Sequence, residues 1–428
     1  MSAWSGPVLA LVLGWAGWRW LHRLPGSPPP AVLIPLLGVG GVGAWVLLLE
    51  SVGLPATPLT QGVPVVLFAA ASLAAPRSNT TTAGRPGVWA IAATCAAIPS
   101  AILAAGRPAA GWDFRYLWGL KAAVFAGAGH HDPSWLAWPA HAFAHPDYPP
   151  MWSDLIATSI RFGADPAAAA AAWQAPLVFA LAASCWHAAR GAPAGLRAAA
   201  AAAGAWAPVV TLPVHGGYAE PLLAFLVAAA LASLPAMLRG ETGGVLAAAA
   251  ATAALALTKN EGMALAAGVA LAAAISGARR RAWPVGAALV VAVLAWRTFM
   301  WSHGIEGEAI AIDGGRIAPR LPDAPAAVAQ VLSLPLVLIA LAWALVIVAL
   351  ALCAAPATLA IPAVWLVAAV LVYLTTPNDL AWHLRWSLDR VLAAPLPGFI
   401  ALALGSAWSP HRAAPPAPGK RPGAAPSA

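Results

Sequence analysis

Long apolar runs separated by short polar turns make up most of the chain. The runs hold roughly 15–24 residues, and about 20 apolar residues cross the ~30 Å hydrocarbon core of a membrane. The pattern therefore predicts about 13 membrane-spanning α-helices, and not the short alternating segments of a transmembrane β-barrel. The predicted spans are residues 7–24, 31–50, 62–76, 88–106, 166–189, 198–212, 218–237, 243–257, 262–277, 283–300, 329–350, 358–375 and 390–406.

The composition supports an all-α polytopic membrane protein. Hydrophobic residues make up 61% of the chain and charged residues only 9%, whereas a soluble domain is about 25% charged. The net charge of +8 is scattered between apolar runs, which is typical of topology signals and not of a nucleic-acid surface. The three cysteines lie inside apolar runs, where they predict neither a disulfide framework nor a metal site.

Basic residues predict the orientation of the chain. They are concentrated in alternate turns, and the positive-inside rule places these turns in the cytoplasm. The N-terminus is then outside and the C-terminus inside, as an odd number of spans requires. The basic residues of this set are Arg19, Arg23, Arg77, Arg85, Arg190, Arg197, Arg239, Arg279, Arg280, Arg281, Arg412, Lys420 and Arg421.

The chain divides into three predicted parts. Residues 1–87 hold the first three spans, residues 88–406 form the main transmembrane unit, and residues 407–428 form a disordered cytoplasmic tail rich in Pro and Ala. The main unit contains a long external loop, residues 107–165, with interfacial helices. Within this loop, Met151–Phe162 is less apolar than the spans and is predicted to lie at the membrane interface.

Four polar clusters share the predicted outer face. The longest, Gly111–Trp152, interrupts an otherwise apolar chain with three Asp, four His and five Trp. The other clusters are HGGYAEP at 215–221, TKNEG at 258–262 and PNDLAWHLRWSLDR at 377–390. Because polar groups are costly near a membrane, this convergence predicts a functional site at the outer interface.

Each acidic or basic candidate has two interpretations. Asp113, between Trp112 and Phe114, is either a solvated loop acid or a general base whose pKa is raised by partial burial. Asp147 in HPDYPP either caps a turn or is held rigidly for chemistry by the two prolines that follow.

The remaining charged candidates flank apolar runs. Glu220, just before Pro221 at the start of an apolar run, is interpreted as an acid that favours a helix N-terminus. Lys259 and Glu261 form an interfacial pair, or Lys259 contacts a phosphate. Arg385 and Arg390 either anchor the chain at headgroup level or bind a lipid-linked phosphate.

The loop histidines and tryptophans have a simpler interpretation. His130, His131, His141 and His145 lack helical metal-ligand spacing and are predicted to be polar loop residues. The tryptophans are predicted to form an aromatic belt at the interface, with stacking on a sugar as the alternative. These tryptophans are Trp112, Trp118, Trp135, Trp138 and Trp152.

An ordered set of motifs resembles a known class of enzyme. WDFRYLWGLKA, HPDYPPMW, GYAEP, KNEG and a late HLxxSxDR are similar to motifs of bacterial integral-membrane glycosyltransferases of the GT-C class. These enzymes are similar to dolichyl-phosphate-mannose protein mannosyltransferases and to lipopolysaccharide-core transferases that use polyprenyl-phosphate sugars. The resemblance covers roughly residues 112–400 and implies a protein of the bacterial inner membrane with its active site outside the cytoplasm.

The resemblance implies a role for each candidate residue. The donor is a polyprenyl-phosphate sugar, and the acceptor is a hydroxyl of a cell-envelope glycan, lipid or protein. Asp113 matches the catalytic base, and Asp147 matches the second acid of the same loop. The implied donor-phosphate contacts are Lys259, Arg385, Arg390 and Arg115, and the implied substrate contacts are Tyr148, Tyr218, Glu220, Glu261 and His383.

Two points stay open at this stage. A divalent cation, Mg²⁺ or Mn²⁺, is compatible with carboxylates near a phosphate, but no ligand pattern demands one. The alternatives to a transferase are a transporter or flippase of a lipid-linked or small polar substrate and a non-catalytic membrane scaffold.

Overall fold

The described residues form a helical bundle. A computed structural model describes residues 3–74, 87–106, 109–211, 216–306, 314–376 and 378–408, and within these ranges it contains helices and turns but no strand. Short 3-10 or π turns cover Phe114–Trp118, Pro139–Ala144 and Pro356–Leu359. The α-helices are α1 (Ser5–Leu21), α2 (Pro30–Ser51), α3 (Pro58–Ala74), α4 (Val88–Ala105), α5 (Gly119–Ala128), α6 (Pro133–Ala137), α7 (Met151–Arg161), α8 (Pro166–Ala188), α9 (Ala194–Val210), α10 (Glu220–Leu238), α11 (Thr242–Thr258), α12 (Asn260–Ile275), α13 (Arg279–Ser302), α14 (Gly314–Arg320), α15 (Ala324–Val331), α16 (Leu334–Cys353), α17 (Ala360–Thr375), α18 (Leu380–Ala393) and α19 (Leu396–Ala407).

A polytopic helical membrane protein is confirmed. Among the described residues, eight helical segments are long and apolar enough to cross a membrane, counting α18 and α19 as one, and α3, α9, α11 and α12 are shorter apolar helices. A helix occupies each predicted span, including the first, where α1 lies. Thirteen crossings stay a prediction, because several of these helices are shorter than the usual membrane thickness.

Two predicted spans differ from the structure by more than a shift of a few residues at their ends. The predicted span 329–350 is interrupted: α15 ends at Val331, and Ser333 caps α16 by accepting from the Leu336 N–H. The helical segment at the last span begins ten residues early, where Asp379 caps α18 by accepting from the Trp382 N–H. Hydropathy misses both boundaries because caps depend on single hydrogen bonds and not on average polarity.

Glycines allow the first two helices to pack closely. A Cβ at Gly14 would lie 1.8 Å from the Ile34 carbonyl oxygen, and one at Gly38 would lie 2.1 Å from the Ala10 carbonyl oxygen. Helices in lipid associate through such small residues because backbones can then approach each other. Hence α1 and α2 form a tight pair.

The placement of Met151–Phe162 at the interface is wrong. Most of α7 is buried between α1, α2, α5 and α8. Its polar side chains find partners inside the protein: Asp154 contacts His131, and Thr158 accepts a hydrogen bond from Gln61. Internal pairing of this kind makes burial of a polar helix tolerable.

Helix α10 lies at the centre of the core. It is buried along nearly its whole length and packs against α8, α11, α12 and α19. Because α2 packs against α7, α8 and α11, the N-terminal helices share this core, and a boundary at residue 87 stays a prediction. Arg77, Arg85, His215, Pro377 and residues 409–428 of the predicted tail lie outside the described residues.

Candidate functional site

A cavity of about 630 Å³ lies where α10 and α12 begin. The external loop, the α11–α12 junction, α17 and α18 form its walls. Its polar lining residues are Asp113, His145, Asp147, Tyr148, Tyr218, Lys259, Asn260, Glu261, Tyr373, Thr375, Thr376, Asn378, His383, Ser387 and Arg390. Its larger apolar lining residues are Trp112, Leu117, Phe143, Trp365, Val372, Trp382, Trp386 and Val391.

Asp113 lies near the start of the external loop, and its neighbours fix its position. The turn that follows it, Phe114–Trp118, is anchored by the buried side chains of Phe114 and Trp118. The backbone N–H of Asp113 donates to the Tyr218 hydroxyl at 3.3 Å, and Oδ2 accepts from Arg390 Nη1 at 2.8 Å. The side chain keeps 25% of its surface exposed. A fixed and accessible carboxylate of this kind is suited to act as a base.

Arg390 joins two carboxylates. Its Nη1 lies 2.8 Å from Asp113 and 3.4 Å from Glu220 Oε1, and its guanidinium lies 4.9 Å from the centre of the Tyr218 ring. Burial and the Asp113 carboxylate together raise the pKa of the Tyr218 hydroxyl. Tyr218 therefore stays protonated and presents its ring face to the cation.

Lys259 continues this arrangement on the other side of Glu220. Its Nζ lies 3.2 Å from Glu220 and 2.9 Å from Glu261. Burial favours the neutral amine, but the two carboxylates outweigh it and raise the pKa of Lys259, so its charge is fixed. Alternating charges thus run through Asp113, Arg390, Glu220, Lys259 and Glu261, which we call the charge chain.

Asp147 is buried in the cavity wall next to the charge chain. Its Oδ2 accepts from Asn260 Nδ2 at 3.1 Å, and its carbonyl oxygen accepts from Trp296 Nε1 at 2.9 Å. Lys121 lies behind it, donating to the His145 carbonyl oxygen at 2.5 Å. Burial lowers the pKa of Lys121 to about 7, although the Asp147 charge opposes this shift. Near neutral pH the Lys121 amine beside Asp147 therefore exchanges between its charged and neutral forms.

Three buried acceptor atoms at this wall have no hydrogen-bond partner within the described part of the chain. They are Asp147 Oδ1, Asn260 Oδ1 and Glu261 Oε2. Buried acceptors are normally satisfied, and hydroxyl groups of a bound ligand are suitable donors. This wall is therefore suited to a ligand with several hydroxyl groups.

The far side of the cavity is aromatic and reaches the outer surface of the bundle. Trp365 is buried, whereas Trp382 and Trp386 are 52% and 61% exposed. Tyr373 donates to or accepts from Ser387 at 2.9 Å and packs against the His383 ring. The cavity therefore combines a charged end with an apolar end, as an amphipathic ligand requires.

The structure brings together most of the predicted site residues. Glu220 lies beneath the cavity and pairs with both cations, while Arg115 and Arg385 are exposed and lie outside the lining. The predicted residues that line the cavity are Asp113, Asp147, Tyr148, Tyr218, Lys259, Glu261, His383 and Arg390.

Sequence reasoning missed several residues near the cavity. Asn260 lies inside the KNEG motif but had no assigned role, and Lys121 lies inside WDFRYLWGLKA. A lysine on an otherwise apolar helix was the available signal, since Lys is rarely buried without a partner. Tyr373 and Trp365 lie within an apolar span and carried no signal.

The loop histidines and tryptophans differ from one another. His131 is not a solvated loop residue: it is buried, its Nε2 lies 2.8 Å from Asp154 Oδ1, and its Nδ1 contacts Glu50. Trp118 and Trp152 are buried core residues, whereas Trp112 and Trp138 are exposed. An interfacial belt thus fits only some of the tryptophans.

The described residues do not fit a metal centre. No group of three or more His, Cys, Asp or Glu side chains among them is arranged to hold a metal ion. The charge chain explains why: the carboxylates of Asp113, Glu220 and Glu261 are directed at Arg390 and Lys259. In the chemistry derived below, the positive charge comes from Arg390 and Lys259.

Comparisons with known proteins add no relative: no family model, no curated protein and no solved structure matches the chain.

Proposed function

We propose that the protein is a membrane glycosyltransferase that moves a sugar from a polyprenyl-phosphate donor to the hydroxyl of an acceptor outside the cytoplasm. The observation that supports this most directly is the charge chain at one end of an amphipathic cavity. An accessible carboxylate and two fixed cations lie there beside unpaired acceptor atoms and next to an aromatic wall.

Asp113 acts as the general base in this proposal. It takes the proton of the acceptor hydroxyl, and the oxygen attacks the anomeric carbon of the donor sugar. A new glycosidic C–O bond forms as the bond from that carbon to the phosphate oxygen breaks. The electron pair leaves with polyprenyl phosphate, and the configuration at the anomeric carbon is inverted.

Arg390 and Lys259 stabilise the leaving phosphate. Arg390 offers a planar set of donors for a phosphate, and Lys259 offers a point charge. Asp147, Asn260 and Glu261 accept hydrogen bonds from the sugar hydroxyls. The aromatic side of the cavity accommodates the first part of the prenyl chain.

The distribution of polar groups favours a transferase over a transporter. The charge chain lies where α10 and α12 begin, and α10 carries no ionisable residue after Glu220. A transport pathway requires polar groups at mid-membrane depth. By the positive-inside rule we expect the cavity to lie at the periplasmic face of the bacterial inner membrane, with the N-terminus outside.

The test is a deletion strain complemented with variants. Asp113→Asn keeps the shape of the side chain but removes the base, so we expect at least a 100-fold loss of transfer. Mass spectrometry of cell-envelope glycans and polyprenyl-linked sugars would show a missing sugar and an accumulated donor.

Asp132→Asn is the matched control. Asp132 lies in the same loop but outside the cavity, where it caps α6, and Asn caps helices equally well. We expect this variant to restore the sugar fully. Full restoration by Asp113→Asn, at equal membrane abundance, would refute the assigned role. Uptake of an unmodified substrate into proteoliposomes would instead favour a transporter.

A further inference from the structure

A second cavity lies at the other end of α10 and α13. The turn after α10 and the first turn of α13 enclose about 530 Å³. We call this the arginine pocket, and its lining residues are Leu238, Arg239, Gly277, Ala278, Arg279, Arg280 and Arg281. Because α10 has 19 residues and rises about 1.5 Å per residue, the pocket lies roughly 28 Å from Glu220.

Positive charge in the arginine pocket is poorly compensated. Glu241 pairs with Arg239 at 2.5 Å, but the structure gives Arg279, Arg280 and Arg281 no ion pair within its described residues. No acidic residue lies in the first turn of α13, where the positive end of the helix dipole adds to the charge. Four arginines from two turns therefore line the pocket, next to one carboxylate.

Topology alone does not account for this arrangement. The positive-inside rule requires basic residues in a turn, but it does not require the arginines of two turns to line one concave surface. Gly240 makes the contact between the turns close: it has a φ of +72°, and a Cβ there would lie 3.1 Å from Ala278 and 3.2 Å from Arg281. The two turns are thus packed together around the arginines.

The surface next to the pocket is apolar and open. Along α13, Trp283 is 69% exposed, and Val290, Val291 and Leu294 are each more than half exposed. A membrane-spanning helix with such a face contacts lipid chains, and a tryptophan near its end is typical of headgroup depth. A ligand with an anionic head at the pocket and acyl chains along α13 fits both features.

We propose that the arginine pocket binds an anionic phospholipid, with the headgroup phosphates on Arg279, Arg280 and Arg281 and the acyl chains along α13. Basic pockets between membrane helices bind such headgroups. Four arginines against one carboxylate favour a lipid with two phosphates, such as cardiolipin, over one with a single phosphate. This site does not depend on the glycosyltransferase proposal.

Lipid binding to the purified full-length protein in detergent tests the proposal. Native mass spectrometry would measure binding of cardiolipin, phosphatidylglycerol and phosphatidylcholine, and we expect affinity in that order. The double variant Arg280→Gln/Arg281→Gln should weaken cardiolipin binding by at least about tenfold, since each arginine near a lipid surface contributes roughly a fivefold factor. Unchanged affinity in this variant would overturn the proposal.

The matched control is Arg19→Gln/Arg197→Gln. It also removes two charges, but both arginines lie against tryptophans, Trp15 and Trp186, and outside the pocket. We expect it to bind cardiolipin as the wild type does. An equal loss in the control would show that total charge, and not the pocket, determines binding.

Two further measurements separate the remaining outcomes. Inorganic phosphate that displaces cardiolipin at millimolar concentration would identify a site for a soluble anion and overturn the lipid assignment. If the glutamine variant does not fold, Arg280→Lys/Arg281→Lys keeps the charge but loses bidentate geometry. Loss of the preference for cardiolipin over phosphatidylglycerol in this variant supports the proposal, and an unchanged preference overturns it.

Discussion

Glu220 is a buried carboxylate that pairs with two cations, Lys259 and Arg390. As the first residue of α10 it lies in the first turn, where negative charge is favourable, and the sequence indicated this much. Its contacts with Lys259 and Arg390 could not be inferred, because these partners lie 39 and 170 residues away along the chain. The same carboxylate thus has a local and a long-range role.

The first prediction concerns the charge chain and compares two substitutions. Lys259→Met leaves Glu220 and Glu261 buried with too little positive charge, and we expect a loss of about 3 kcal/mol in the free energy of unfolding. Glu220→Gln leaves each cation one carboxylate, so we expect a smaller loss. Thermal unfolding in detergent would measure both. A Lys259→Met protein as stable as Glu220→Gln would contradict the network.

Some site residues can be predicted from the sequence and others cannot. The sequence predicted Asp113, Lys259 and Arg390 as site residues. A charged residue beside an apolar run is costly in a membrane, and such residues are often functional. His131 was not predictable, because its partners come from other segments: Glu50, which contacts His131, is 81 residues earlier. Pairing across such distances is a property of the fold and leaves no local pattern.

At the scale of elements, His131 connects the end of α2 to α7. It lies between Glu50 and Asp154, and its backbone N–H donates to Glu50 at 2.8 Å. Burial alone would lower the pKa of His131, but the two carboxylates outweigh burial and raise it to about 9. A charged His131 therefore holds these two helices to the external loop.

The second prediction is a pH dependence of this junction. A pKa raised from 6.5 to about 9 gives stability that is fully present below pH 6.5 and is lost as the pH rises through 9. We expect His131→Gln to be less stable than the wild type by about 3 kcal/mol at pH 6 and nearly equal to it at pH 10. Unfolding curves at several pH values would measure this difference.

The measured quantity is the difference in the free energy of unfolding between His131→Gln and the wild type. The wild-type pH profile alone is not sufficient, because Lys121 changes stability with pH in the opposite direction. Its pKa is lowered to about 7, so its contribution to stability is lost as the pH falls toward 7. His130→Gln is the control, since His130 is exposed, and it should stay close to the wild type at every pH. A His131→Gln deficit that does not change with pH would exclude a titrating ion pair.

The helices themselves were predictable where hydropathy determines them. Every predicted span coincides with a helix, because apolar runs of this length have few other stable forms in lipid. The breaks were not predictable. The helix is interrupted between α18 and α19 at Ala394, just before Pro395. A proline can begin, bend or end a helix depending on its neighbours.

At the scale of the molecule, the two ends of the bundle differ. The end with the external loop holds the larger cavity with balanced charges, whereas the opposite end holds the arginine pocket with excess positive charge. By the positive-inside rule we expect the arginine end to face the cytoplasm.

The third prediction is the orientation of these two ends. In a variant without Cys95, Cys185 and Cys353, a single cysteine at Ser134 or at Thr242 would be labelled with a membrane-impermeant maleimide. Both positions are exposed, one in the external loop and one after the arginine pocket. We expect labelling of Ser134→Cys in intact spheroplasts and labelling of Thr242→Cys only after permeabilisation. The reverse result would invert the proposed topology.

The charge chain also limits how the sequence can change over time. Arg390 holds both Asp113 and Glu220, so a chain that replaces this arginine with a neutral residue must remove a negative charge elsewhere in the same lineage. Substitutions among these five positions should therefore occur in compensating pairs, whereas Arg115 and Arg385, which are exposed outside the cavity, are free to vary one at a time.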